Sequence, residues 1–327
     1  MQKILVTISA YYERFMVNTI ESCIKRAEFP DRISFAIAHH EDHIVDTSHI
    51  TNRVSRYIIP KGDKIGVQKP KHMLAKMIKD EDFVMSIDSH VIMVNGWDTL
   101  ILDEYKDRLL SSDNKNIIIS GNFGDNKDLG WEDYQDCLDK YFNNDSFFFE
   151  PRKNLQAEVI LDSGKLYDLK HFEYSEGDWY GYCLNKVPVL DFLQTGWIEL
   201  SNTYSGNFSF IPSSWFEKYN FTQDVFFSAD QVETSMNMYT SGYDIWSPKI
   251  KYHCHMMDHK NDTPSGRMLI SNFDGLEFHH NRYFDLEKDY SGILYIQKIL
   301  KEDYPDKRPR SIYDWMNFHK LDKELYV

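Results

Sequence analysis

Asp82–Ile87, DFVMSI, runs without a break into Asp88-Ser89-His90, and the reading of this stretch decides the fold. A short apolar run that ends abruptly on polar residues reads as a buried strand. Upstream, Lys3–Ala10 (KILVTISA) has the same character, and Arg32–His39 (RISFAIAH) and Val54–Ile59 add two more strands. Between them the apolar spacing turns helical. Asn18–Ala27 sets Ile20, Cys23 and Ile24 on one face and is closed by Pro30, and Lys69–Lys79 aligns Met73, Leu74, Met77 and Ile78. The order βαββαβ predicts an α/β fold with a mostly parallel central sheet flanked by helices. Further along, Asn116–Ser120, Asn207–Ile211 and Ile250–His255 read as strands, and Asp230–Thr240 reads as a helix that Gly242 stops. Residues 122–200, rich in Asp, Asn, Tyr and Trp, carry isolated strands such as Ala157–Leu161 and no clear period.

The Asp-Ser-His tripeptide carries the chemistry. Residues i and i+2 at a strand end project to one side, so Asp88 and His90 can reach the same ion. A carboxylate and an imidazole suit Mn²⁺ or another divalent cation and leave positions open for phosphate oxygens. The carboxyl end of a parallel strand is also where α/β sheets place ligands. Alone the tripeptide is weak, because a solvated Asp at a strand end looks the same and the chain has 13 His. Its setting strengthens it: Gly96-Trp97-Asp98 follows as a turn into another helix.

Composition sets limits. Charged residues make up 27% of the 327 residues and aromatics 15%, which fits a globular protein with stacking surfaces. A formal net charge of −14 disfavours non-specific nucleic-acid binding. Cys23, Cys137, Cys183 and Cys254 show no CxxC spacing, so they read as reduced thiols rather than a zinc ribbon. The opening MQKILVTISAYY is too short in apolar residues for a secretory signal, and no later run approaches the ~18 apolar residues of a membrane span. The expectation is a cytoplasmic protein with no membrane partner.

Gly66–Ile101, GVQKPKHMLAKMIKDEDFVMSIDSHVIMVNGWDTLI, resembles the hydroxyproline N-acetylglucosaminyltransferase family that modifies a cytosolic ubiquitin-ligase adaptor. The family's Gly-Pro-x-x-Ala-Arg helix start, strand, Asp-Ser-His and Trp-Asp follow in the same order, with Val67 at the Pro and Lys71 at the Arg. Phe226–His255, FFSADQVETSMNMYTSGYDIWSPKIKYHCH, resembles that family's Gly-Glu-Glu helix and following Tyr-His. It is also similar to the Gly-Gly-Glu-Asn block of polypeptide N-acetylgalactosaminyltransferases; Ala229 falls on the Gly, Asp230 on the first Glu and Gln231 on the second. LVTISAYYE, with Tyr12 and Glu13 in place of Arg-Asp, and the tail RPRSIYDWMNFHKLD are weaker matches.

The resemblance implies a GT-A type nucleotide-sugar fold, expected over 1–265 with 266–327 as a C-terminal helical appendage; 122–200 matches the family poorly and reads from its own residues as an irregular acceptor-side region. It implies a metal-dependent glycosyltransferase that moves a sugar, N-acetylglucosamine or similar, from a UDP-sugar to a hydroxyl acceptor with retention. Asp88, His90 and His253 would hold the ion, with His255 the next match for the third ligand. Thr7, Ser9, Tyr11, Lys71, Asp88, Ser89, Trp97 and Asp98 would contact the donor, and Asp230 and Gln231 would stand at the sugar.

Each of these residues also has an ordinary reading. His253, His255 and His259 can be surface histidines, Asp230 and Asp98 helix caps, Trp97 core, Lys71 a solvated charge, and Thr7, Ser9 and Tyr11 strand-end residues. His39-His40 and His279-His280 have no evident partner. The acceptor by resemblance is a protein hydroxyproline. Low Gly and Pro counts hint at an A·T-rich, viral source, and the alternative acceptor is then a hydroxymethylated DNA base in host cytoplasm, with Lys251, Lys260, Arg267, Lys307, Arg308 and Arg310 as a basic rim. A third reading, an inactive nucleotide-sugar-binding module, is opposed by the intact Asp88-Ser89-His90.

Overall fold

A computed structural model describes residues 1–10, 13, 15–43, 45–121, 202, 204–226, 230–250, 252–255 and 286–319. Its centre is a seven-stranded sheet in the order β3-β2-β1-β4-β7-β6-β8. The strands are β1 (Ile4–Ser9), β2 (Ile33–His40), β3 (Val54–Ile59), β4 (Phe83–Ile87), β6 (Ile117–Ser120), β7 (Phe208–Pro212) and β8 (Asp244–Trp246). β3, β2, β1 and β4 pair in parallel. β7 runs antiparallel to both β4 and β6, and β8 is parallel to β6. One reversed strand therefore sits inside a sheet whose other members share a direction, which meets the expectation of a mostly parallel sheet flanked by helices. A second small sheet joins β5 (Val91–Met93) to β9 (His253–His255) antiparallel, with Val91 opposite His255 and Met93 opposite His253.

The pleat sends alternate residues to opposite faces. Ile4, Val6 and Ile8 share one core with Ile20 and Cys23 of α1 (Met16–Lys25) and with Trp97 and Ile101 of α3 (Trp97–Ser111). Leu5, Ala36 and Val84 face the other way, onto Leu74 of α2 (Gln68–Ala75). Further along that side, Ile118, Ile211 and Ile245 pack with Trp215 of the one-turn α4 (Ser213–Phe216) and Met238 of α5 (Asp230–Thr240). Val232 and Met236 of α5 also bury Ile296, Ile299, Ile312 and Trp315, which belong to α6 (Leu286–Glu302) and α7 (Ile312–Phe318). The C-terminal helices thus share a core with the helix that carries Asp230. No described helix is long and apolar enough to cross a membrane.

Several boundaries moved for local reasons. α2 stops at Ala75 rather than Lys79, and Met77 and Ile78 follow in tight turns that donate to Leu74 O and Ala75 O. α1 ends at Lys25, before Pro30, which starts a 3-10 turn. Gly242 has φ +94 just beyond α5, the left-handed stop expected there. Strand Ile250–His255 shortens to its last three residues. The expectations on 122–200, including Ala157–Leu161, lie outside the described residues, as do Tyr11, Tyr12, Cys137, Cys183, Ala229, Lys251, His259, Lys260, Arg267, His279 and His280.

Candidate metal and donor site

β4 lies centrally between β1 and β7, and Asp88 is the first residue past its carboxyl end. The register of β4 on β7 pairs Ile87 with Phe208. Continued by one step it sets Asp88 beside Asn207, whose Nδ2 donates to Asp88 Oδ2 at 3.0 Å. His255 Nε2 lies 3.1 Å from the same oxygen. The His90 and His255 rings stand with centroids 4.6 Å apart. Asp88, His90 and His255 each offer a ligand atom, and these atoms lie within 4.8 Å of one another.

The structure brings His255, in place of His253, to Asp88 and His90. His253 is fully buried and its Nε2 lies 3.0 Å from Asn207 Oδ1. Both histidines project to one side of β9, as i and i+2 residues do, and the pairing of β9 with β5 decides which meets Asp88. Asn207 spans the two positions, with its carbonyl on His253 and its amide on Asp88.

His90 is buried, and its Nδ1 lies 3.1 Å from Glu13 Oε2. Its Nε2 is buried with no hydrogen-bond partner among the described residues. A buried imidazole nitrogen without a partner is costly unless something occupies its lone pair, so the pocket fits a cation there. Burial pushes the Asp88 carboxyl up, but the His255 contact and the nearby His90 and Lys71 outweigh it and hold the group down at about 2. Asp88 is therefore an anion at neutral pH, as a hard ligand must be.

A second cluster adjoins the first. Lys71 is buried on the inner face of α2, and its Nζ lies 3.3 Å from Asp230 Oδ2 at the start of α5. Gln68, one turn earlier, donates to Asp230 O at 3.0 Å and to Thr234 Oγ1 at 2.6 Å, fastening α2 to α5. Desolvation opposes the Lys71 charge, but Tyr204 and Asp230 prevail and its pKa is raised, so the ammonium persists. A Cβ placed on Gly206 would meet Lys71 Nζ at 3.4 Å, Asp230 Oδ2 at 3.7 Å and Gln231 Nε2 at 3.7 Å. The segment Tyr204–Asn207 thus touches both clusters: Lys71 Nζ sits 5.2 Å above the Tyr204 ring, Gly206 faces Asp230 and Gln231, and Asn207 holds Asp88.

Other expected donor contacts are engaged in the scaffold. Trp97 is fully buried and donates to Cys23 O at 2.9 Å. Asp98 is fully buried, accepts from Glu28 N at 2.7 Å and Phe29 N at 3.0 Å, and pairs with Arg32. Thr7 is buried within β1 and its hydroxyl reaches Met85 O at 3.4 Å, while Ser9 ends β1 half-buried. Ser89 is buried and its carbonyl accepts from Thr19 Oγ1 at 2.9 Å. Of the expected basic rim, Arg308 donates to Asn237 and pairs with Asp306, and Arg310 pairs with Asp244. Two residues with no assigned part, Glu13 and Asn207, touch the cluster directly. Glu13 follows the first strand, a signal available in sequence; Asn207 reaches Asp88 only through the long-range pairing of β4 with β7.

No protein-family model matches the chain, and no curated protein matches it. Among solved structures it is similar to the crystal structure of S. aureus TarS 1–349, at 13% identity and TM-score 0.43, over 78% of this chain and 60% of that one. The same fragment in complex with UDP-GlcNAc gives 12% identity and TM-score 0.41, over 77% of this chain and 57% of that one. The mannosyltransferase PcManGT from Pyrobaculum calidifontis, in complex with GDP-Man and Mn²⁺, gives 10% identity and TM-score 0.40, over 76% and 57%. The chain thus spans 60% or less of the length of these solved chains, and a functional reading rests on the geometry of its own site.

Proposed function

We propose that the chain is a metal-dependent glycosyltransferase that takes a sugar from a UDP-sugar and places it on a hydroxyl acceptor. The observation that carries this reading is the Asp88, His90 and His255 cluster at the carboxyl end of the central β4. Three protein ligands from one side suit a divalent cation that keeps open positions for diphosphate oxygens. Such an ion, when bound, supplies Lewis-acid neutralisation of the charge developing on the leaving diphosphate.

The remaining parts follow from the chain's own residues. Lys71 adds a buried cation beside the ligand cluster, placed to steady a phosphate, and Asp230 fixes its position. Asp230 and Gln231, both half-buried around Gly206, are set to take sugar hydroxyls. Burial raises the Asp230 carboxyl in spite of Lys71, but its Oδ2 is engaged by that buried ammonium, which competes with service as a general base. The reading is therefore of a retaining transfer, in which the departing phosphate oxygen takes the acceptor proton on the front face. A protein hydroxyl such as hydroxyproline is the acceptor in this reading, and N-acetylglucosamine or a similar sugar the group moved.

The test is calorimetry with UDP in Mn²⁺ and in chelator, followed by UDP release from a panel of UDP-sugars. Metal-dependent UDP affinity and turnover of at least one sugar are expected. Equal UDP affinity in both conditions removes the metal from the proposal.

A further inference from the structure

We propose that Glu13 is a positioning residue that fixes His90 as a metal ligand. The proposal rests on the metal site of the preceding reading and extends it to a residue outside the ligand cluster. Glu13 is almost fully buried, and among the described residues its ion-pair partner is His90 alone, with no Lys or Arg on it. Burying a carboxylate against one imidazole is expensive unless further positive charge is close by. Asp88 makes the deficit larger, because a second carboxylate lies close to the same imidazole. Two carboxylates and two imidazoles sum to −2 when both rings are neutral, the charge a divalent cation balances.

The hydrogen bonds set the tautomer. A carboxylate only accepts, so the 3.1 Å contact from Glu13 Oε2 to His90 Nδ1 places the proton on Nδ1. In the neutral ring the lone pair is then on Nε2, the nitrogen that is buried with no hydrogen-bond partner among the described residues. Glu13 is itself held: Phe15 N donates to its Oε1 at 3.0 Å, and His43 Nε2 lies 2.9 Å from its carbonyl. Any turn of the ring about its own axis gives up the Glu13 contact, so that contact fixes where both ring nitrogens point. Outer partners of this kind raise ligand basicity and orient the ring.

Mn²⁺ binding to the full chain, measured by calorimetry without nucleotide, tests this with Glu13→Gln and Glu13→Ala. Glu13→Gln keeps an acceptor and nearly the same shape, so it guards against a folding failure, which circular dichroism melts would also reveal. The expected result is a loss of Mn²⁺ affinity of roughly 10- to 100-fold in Glu13→Ala, with Glu13→Gln in between. A purely structural carboxylate would lower the melting temperature and leave the affinity of the folded variants unchanged, and that result overturns the proposal alone. Absence of Mn²⁺ binding by the unaltered chain overturns the metal site and this proposal together.

Discussion

His255→Ala and His253→Ala separate two roles that lie two residues apart. His255 Nε2 stands 3.1 Å from Asp88 Oδ2 and belongs to the ligand cluster, whereas His253 Nε2 stands 3.0 Å from Asn207, which in turn holds Asp88. Losing His255 leaves two protein ligands of three. Losing His253 leaves all three and removes an outer support, which typically costs 10- to 100-fold in metal affinity. His255→Ala should therefore exceed the upper end of that range, a loss above ~2.7 kcal/mol at about 1.4 kcal/mol per tenfold, while His253→Ala stays within it. Both sites tolerate the change in different ways: His255 is partly exposed, but His253 is fully buried and its removal opens a cavity, so His253→Ala should lose more thermal stability. The assay is a Mn²⁺ titration of each variant beside its melting curve. A larger affinity loss in His253→Ala than in His255→Ala would refute the assignment, however the two melts compare.

Four further outcomes follow from the same geometry. Lys71→Met leaves Asp230 buried beside a long-range Asp88, and should cost about 3 kcal/mol in urea unfolding and weaken UDP binding; a cost below ~1 kcal/mol would mean that Asp230 is not held as an anion. Gly66 has φ +67 and a Cβ there would lie 2.1 Å from Phe226 O, so Gly66→Ala should lose more than the 1–2 kcal/mol or so of left-handed strain alone, read in the same melts. Glu233 is fully buried in α5, and desolvation raises its carboxyl to about 8 even though the Tyr304 hydroxyl bonds to it. Its proton is kept in the folded state and lost in the unfolded one above the ordinary carboxylate range, so stability should fall between about pH 5 and pH 8, by up to ~1.4 kcal/mol per unit, and Glu233→Gln should flatten that slope. Proton NMR of the first product from a UDP-α-sugar should show an α linkage; a β linkage would require a base such as Asp224 or Asp230 within reach of the acceptor.

The parts of the fold legible in sequence are those fixed by local periodicity. β3 and α5 fall on the residues their patterns mark, and β1, β2 and β4 lie within one or two residues of theirs. The three-residue β5 and β8 carry too few side chains to show a period, and the one-turn α4 has none. Nothing in FSFIP marks β7 as the one reversed strand, because direction is set by what lies on either side of it in the sheet. The site divides along the same line. Asp88 and His90 are legible because strand geometry puts i and i+2 together. The choice of His255 depends on its register against Val91, and Asn207 on the register of β4 with β7, both contacts between segments far apart in the chain. Trp97 and Asp98 matched a motif, and the structure gives them partners in α1 and the turn after it that the motif does not show.

The reversal of β7 has an evolutionary consequence. Because β6 ends and β7 begins on the same rim, Gly121 and Ser205 flank one narrow neck. That neck is tied by Gly121 N to Phe208 O at 3.2 Å, by Ser120 Oγ to Phe208 O at 2.8 Å and by Ser205 N to Ser120 Oγ at 2.9 Å. An excursion closed at its base can lengthen cheaply, since each doubling of a flexible loop adds only about 0.6 kcal/mol of closure entropy. An insertion at that neck would leave Asp88 and His90, between β4 and β5, and His255, on β9, where they are.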